Sequence, residues 1–216
     1  MTLEHLIRES AGEPEGALVL SHGRGTSEHD LFPLIDVLDP ERRLVGIAPG
    51  APITGLPPGG KHWYAVPRVG YPDPGTFASS YAALCGFLDD KLAELGIAWE
   101  RTVLGGFSMG AVMSYAVGLG PGRPVPAGIL ALSGFVPTVE GWQPDFDGRE
   151  GLPVLIHHGA LDPIIEVGFG QAAREMLEAA GLAVTYMETD AGHSVPPEVI
   201  DSAREFVGSA LAPSRG

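Results

Sequence analysis

Short runs rich in Val, Ile and Leu, each bounded by Gly or Pro, alternate along this chain with stretches long enough to be helices. The runs occupy residues 17–21 (ALVLS), 44–48 (LVGIA), 102–107 (TVLGGF), 128–133 (GILALS) and 154–158 (VLIHH). Being apolar at successive positions, they read as strands buried on both faces, as in parallel sheets covered by helices. Segments 30–38, 76–95, 109–119, 163–180 and 197–211 have helical length. Residues 2–9 (TLEHLIRE) alternate apolar and polar like a half-exposed edge strand, and 183–188 (AVTYME) supply the last strand. The pattern predicts an α/β fold. It is a mostly parallel, doubly wound sheet of about seven strands flanked by helices, in one domain over residues 1–216.

Two stretches break the alternation. Residues 49–75 hold 13 Gly or Pro in 27, and residues 120–151 hold 12 in 32, both with interspersed aromatics. Irregular segments of this length in a compact domain are usually lids or binding loops. The 44% apolar content supports a substantial core, so the 31 Gly and 20 Pro do not signal disorder.

Charge narrows the function classes. The net charge is −14, with 13 Lys and Arg against 27 Asp and Glu, which leaves no basic face for nucleic acid. No apolar run approaches the ~20 residues that span a bilayer, so integral membrane association is not expected. The opening MTLEHLIRES has no charged-then-apolar leader, and one cysteine, Cys85, cannot form an internal disulfide. The expectation is a cytoplasmic protein, with a homodimer left open.

The most informative motif is Gly106-Phe107-Ser108-Met109-Gly110, a G-x-S-x-G set between a strand and a helix. A serine on so sharp a turn stands clear of the sheet's carboxyl edge, and small residues on either side let strand and helix approach. The helix N-terminus behind it favours developing negative charge. A serine hydroxyl is a poor nucleophile at neutral pH, so this reading demands a histidine base and a carboxylate that orients it.

Both follow in the order Ser, Asp, His. Asp162 comes after the run 154–158, and His193 lies in the loop after the last strand. Taken alone, Asp162 before Pro163 reads as a helix N-cap and His193 as a solvated loop residue. Asp190 is a rival acid, but it shares a loop with His193, whereas the acid is expected after the preceding strand. Open α/β sheets place sites at this edge, so the joint arrangement favours Ser108, Asp162 and His193. For the oxyanion, the Met109 amide is one donor. The turn His22-Gly23-Arg24-Gly25 offers the Arg24 amide as the second.

With these residues placed, the chain resembles the phospholipase/carboxylesterase family of α/β hydrolases, which includes acyl-protein thioesterases and small bacterial carboxylesterases. The resemblance runs through SHGRG, GGKHWY, GGFSMGA, LSGFVP, HGALDPIIE and AGHSVPPE, in that order. It implies an α/β-hydrolase fold and a Ser-His-Asp hydrolase of esters or thioesters with no metal and no organic cofactor. Ser108, Asp162 and His193 match its triad, and Arg24 and Met109 its oxyanion positions.

Arg24 departs from the apolar residue common there. Its side chain either favours an anionic substrate or pairs with Glu28 or Asp30, and the ion pair is the expected outcome. Trp63, Tyr64, Phe135 and Val136 are the candidates for an apolar substrate pocket. Cys85 is expected to be buried and inert, and His157 and His158 to be packed rather than metal-binding, since no third ligand has suitable spacing.

The expected protein is a serine esterase for a small-molecule ester or thioester. Its rivals are an acyltransferase or perhydrolase using the same triad, and a non-catalytic binding protein on the same fold.

Overall fold

A computed structural model describes residues 3–211; Thr2, within the first expected strand, and residues 212–216 lie outside them. Seven strands form one sheet: β1 (His5–Arg8), β2 (Ala17–Ser21), β3 (Val45–Pro49), β4 (Thr102–Phe107), β5 (Gly128–Leu132), β6 (Pro153–Gly159) and β7 (Ala183–Thr189). Their order is β1-β3-β2-β4-β5-β6-β7, parallel throughout except that β1 runs antiparallel to β3. The interior strands β2, β3 and β5 are buried at every position, as their uninterrupted apolar runs require. The edge strand β7 alternates instead and is nowhere fully buried.

The chain leaves β2 toward β3 on one side and returns to β4 on the other. β2 and β4 are paired, with Ser21 opposite Gly106. The crevice above their carboxyl ends is therefore the switch point where such sheets bind ligands.

The five helices are α1 (Phe32–Leu38), α2 (Pro74–Leu95), α3 (Met109–Gly118), α4 (Val167–Ala179) and α5 (Pro197–Ala210). α2 begins where the Asp73 side chain accepts a hydrogen bond from the Thr76 amide (2.9 Å), with Pro74 in its first turn. It ends at Gly96, whose φ of 67° is the left-handed conformation that stops a helix. α3 is buried all round and packs beneath the switch point. Two apolar layers result, α2 and α3 contributing to one and α1 and α5 to the other.

Several sequence expectations shift. β1 covers His5–Arg8 rather than residues 2–9, and α1 starts at Phe32 rather than residue 30. α4 starts at Val167 rather than residue 163, because the Asp162 carboxylate binds the amides of Ile164 and Ile165 and holds 163–166 as a turn. The irregular stretch 120–151 is interrupted by β5, so it is two excursions rather than one.

Candidate active site

Ser108 is the hinge between β4 and α3, and its backbone sits at φ 55°, ψ −118°. Such a conformation costs a non-glycine residue about 1–3 kcal/mol and persists only where its surroundings enforce it. Here the Ser108 amide donates to the Leu132 carbonyl (2.8 Å), and its own carbonyl accepts from Val112 (3.2 Å). The flanking glycines are dictated by contact. A methyl at Gly106 would collide with the backbone of Gly110, and one at Gly110 with the carbonyls of Ser21 and His22.

His193 Nε2 lies 2.9 Å from Ser108 Oγ, and His193 Nδ1 lies 2.6 Å from Asp162 Oδ2. An ionised carboxylate only accepts, so Nδ1 carries the proton and Nε2 is free to accept from the serine hydroxyl. Asp162 Oδ1 is occupied by the amides of Ile164 (2.8 Å) and Ile165 (2.9 Å). Burial by itself would raise the Asp162 pKa, but the bonds from His193 and the two amides outweigh it and hold the carboxyl below its ordinary range.

The loops that carry Asp162 and His193 are tied together: the Leu161 amide donates to the Ala191 carbonyl (3.0 Å) and Ala160 to that of Thr189 (2.7 Å). The Phe107 ring packs against the imidazole with centroids 4.8 Å apart. It is Asp162 that meets His193; Asp190 is exposed and makes no bond to it.

A second network shapes the turn after β2. The buried His22 accepts the Ala51 amide at Nε2 (3.0 Å), so Nδ1 carries its proton and donates to the Gly23 carbonyl (2.7 Å). The Thr26 hydroxyl donates to the same carbonyl (3.0 Å), and Trp63 Nε1 donates to the His22 carbonyl (3.0 Å). Burial lowers the His22 pKa, outweighing the opposing pull of the Gly23 carbonyl, Asp30 and Glu28. In the sequence His22 stands out only as part of a turn. The signal was a histidine at a strand end directly before the glycines.

Above Ser108 opens a cleft whose lining includes Arg24, Tyr64, Met109, Phe135, Ile164 and Ile165. Two expected pocket residues are placed elsewhere. Trp63 is fully buried, fixed by its bond to the His22 carbonyl, and Val136 is buried in the core one position beyond Phe135; neither lines the cleft. Arg24 also differs from expectation. Its guanidinium donates to the Pro57 carbonyl (2.9 Å), while Glu28 is held by Lys61 (2.6 Å).

Cys85 is buried, which pushes its thiol up. His157 and His158 are wholly buried. His157 bonds Thr189 Oγ1 (3.0 Å), and His158 donates to the Ile165 carbonyl (2.8 Å) beneath the loop that carries Asp162.

Burial, reinforced by the neighbouring His158, brings His157 down to about 4. An unfolded chain takes up that proton near about 6.5, so the stability conferred by neutral His157 is full above that pH and is lost as pH falls toward the folded value. His157→Gln is expected to lose about 2–3 kcal/mol less than wild type between those two pH values in urea unfolding. Parallel losses in the two proteins would contradict this.

Among the described residues no helix is long and apolar enough to cross a membrane. A family model described as Phospholipase/Carboxylesterase matches residues 4–211. An acyl-protein thioesterase 1 from Gibberella zeae is 35% identical over 124 residues, an alignment covering 56% of this chain and 52% of that protein. An acyl-protein thioesterase 1 homolog from Dictyostelium discoideum is 25% identical over 215 residues, covering 95% of both chains. The crystal structure of a Bacillus cereus carboxylesterase superposes with a TM-score of 0.84 at 24% identity, over 96% of this chain and 94% of that one, which shows a shared fold. With a family match across nearly its whole length, the chain belongs to the phospholipase/carboxylesterase family.

Proposed function

We propose that the protein is a serine hydrolase of small carboxylic esters and thioesters, with Ser108 as nucleophile, His193 as base and Asp162 as the acid that orients it. The observation that carries this is the unbroken chain from Ser108 Oγ through His193 to Asp162, at 2.9 and 2.6 Å. Ser108 attacks the acyl carbon as its proton passes to His193 Nε2, and the imidazolium returns that proton to the departing alcohol or thiol. Water, activated by the same nitrogen, then releases the acid from the acyl-enzyme.

The oxyanion is received by the amides of Met109 and Arg24. A trans peptide sets N–H and C=O on opposite sides, so the bonds from His22 and Thr26 to the Gly23 carbonyl turn the Arg24 N–H the other way. That amide has no acceptor within the protein among the described residues, and Arg24 borders the same cleft as Ser108. His22 and Thr26 are thus positioning residues for a donor that would contribute about 3–4 kcal/mol to the transition state. The acyl-protein thioesterase names of two relatives support thioesters within the substrate range.

The cavity over Ser108 is small, about 50 Å³, with Tyr64 and Phe135 in its wall. Acetyl and butyryl esters are therefore expected to be favoured. With para-nitrophenyl esters and the matching thioesters, kcat/KM should rise from acetate to butyrate, each buried CH₂ that fits being worth ~0.8 kcal/mol, and fall at least about tenfold from butyrate to decanoate, because a chain that overfills the cavity must push its walls apart at about 1–3 kcal/mol. No turnover of any ester or thioester by the purified protein would sink the reading.

A further inference from the structure

Resting on that hydrolase reading, the structure also bears on which esters the site takes. Two arginines, Arg24 and Arg68, border the cleft over Ser108, and among the described residues no Asp or Glu lines it. This is unusual in a chain with 27 acidic residues and a net charge of −14. Among the described residues neither arginine forms a salt bridge, whereas the nearby Lys61 is neutralised by both Glu28 and Glu4.

Each guanidinium is held in place but keeps hydrogen-bonding capacity. Arg24 gives one N–H to the Pro57 carbonyl, leaving most of its five donors unspent. Arg68 lies 3.6 Å above the centroid of the Tyr71 ring, and stacking occupies its face while its in-plane N–H groups stay open. Planar forks of this kind match carboxylate and phosphate oxygens better than an ammonium does.

The position of the charge on the substrate follows from polarity. The inner wall is apolar, with Tyr64 and Phe135 both buried, and an unpaired anion pushed against it would lose its hydration. Both arginines are exposed, at the rim. We propose that the natural substrates are esters or thioesters whose departing alcohol or thiol carries a carboxylate or phosphate, received by Arg24 and Arg68 while an uncharged acyl group enters the cavity.

The test compares para-acetoxybenzoate with its methyl ester, each rate divided by that of hydroxide hydrolysis to remove intrinsic reactivity. The wild-type protein is expected to prefer the anion about tenfold at about 20 mM ionic strength and less than about twofold at about 0.5 M, because exposed pairs are screened. para-Acetoxyphenyl phosphate gives the second anionic arm, and whichever anion shows the larger preference identifies the group. A trimethylammonium-bearing phenyl acetate should rank below the neutral ester.

In the Arg24→Gln/Arg68→Gln double variant the anion-to-neutral ratio is expected to fall to about one. Fluorophosphonate labelling at Ser108 reports whether that variant retains a formed site, and the salt series on wild type stands on its own if it does not. Equal handling of both anions and the neutral ester by wild type, or a preference that survives in a labelled double variant, overturns the proposal. Turnover of the neutral ester alone leaves the hydrolase reading standing, whereas turnover of none of the probes removes that reading first.

Discussion

Ser108→Ala is expected to lower kcat/KM for para-nitrophenyl butyrate by about 10⁵ to 10⁶ and to abolish labelling by a fluorophosphonate. The size follows from what remains. Without Oγ, His193 has no hydroxyl to deprotonate, and no acyl-enzyme forms. Any residual rate comes from water attacking a substrate held by the oxyanion donors, which in comparable triads still gives about 10³ over solution. The fold should barely respond. Alanine meets the same backbone restriction at φ 55°, and the polar contact it removes is one bond to a partly accessible imidazole. Unfolding free energy should therefore stay within about 1 kcal/mol of wild type. Wild-type turnover in this variant, or a fluorophosphonate adduct on another residue, would place the nucleophile elsewhere.

The elbow around Ser108 was legible because its sequence is dictated locally. Gly106 and Gly110 are required by backbone atoms that approach them within one strand-turn-helix unit and its neighbouring strand, and no distant side chain has to be known. The strands were legible for a related reason, since burial on both faces leaves its mark at every position. The ends of these buried strands differ by only a residue or so, as at β3 and β6, whereas the edge strand β1 is shortened to His5–Arg8.

Asp162 was harder, because a carboxylate that binds the next amides looks alike in sequence whether it caps a helix or shapes a turn. Here it does the second, and the helix begins later, at Val167.

What the sequence could not convey depends on which loop meets which. Trp63 was an attractive pocket residue until His22, 41 positions earlier, presented a buried carbonyl to its indole N–H. A tryptophan with its polar atom satisfied in the core has no reason to face a ligand. Arg24 was expected to pair with Glu28 or Asp30 on sequence proximity. Lys61 reached Glu28 first, because the bridge between Thr26 and Lys61 brings the long loop against the turn after β2. That contact frees the arginine at the rim and makes substrate charge an open experimental variable.

Asp162→Asn is expected to lower kcat by about 10⁴ at neutral pH while changing KM little. Asparagine keeps an oxygen that can accept the Ile164 and Ile165 amides, so the turn at 163–166 has no reason to unwind. The atom facing His193 Nδ1 then becomes an NH₂ group, which donates. His193 must accept at Nδ1 and carry its proton on Nε2, the nitrogen 2.9 Å from Ser108 Oγ. The base is thereby presented to the nucleophile already protonated. The imidazolium that forms on attack also loses the buried negative charge that stabilises it. Fluorophosphonate labelling of Ser108 should slow in proportion to kcat, since it needs the same proton transfer, and circular dichroism should remain native. Asp190→Asn is the control: Asp190 is exposed and makes no bond to His193, so its rate should stay within about twofold of wild type. A loss under about tenfold in Asp162→Asn, or a large loss in Asp190→Asn, would move the acid of the triad from one loop to the other.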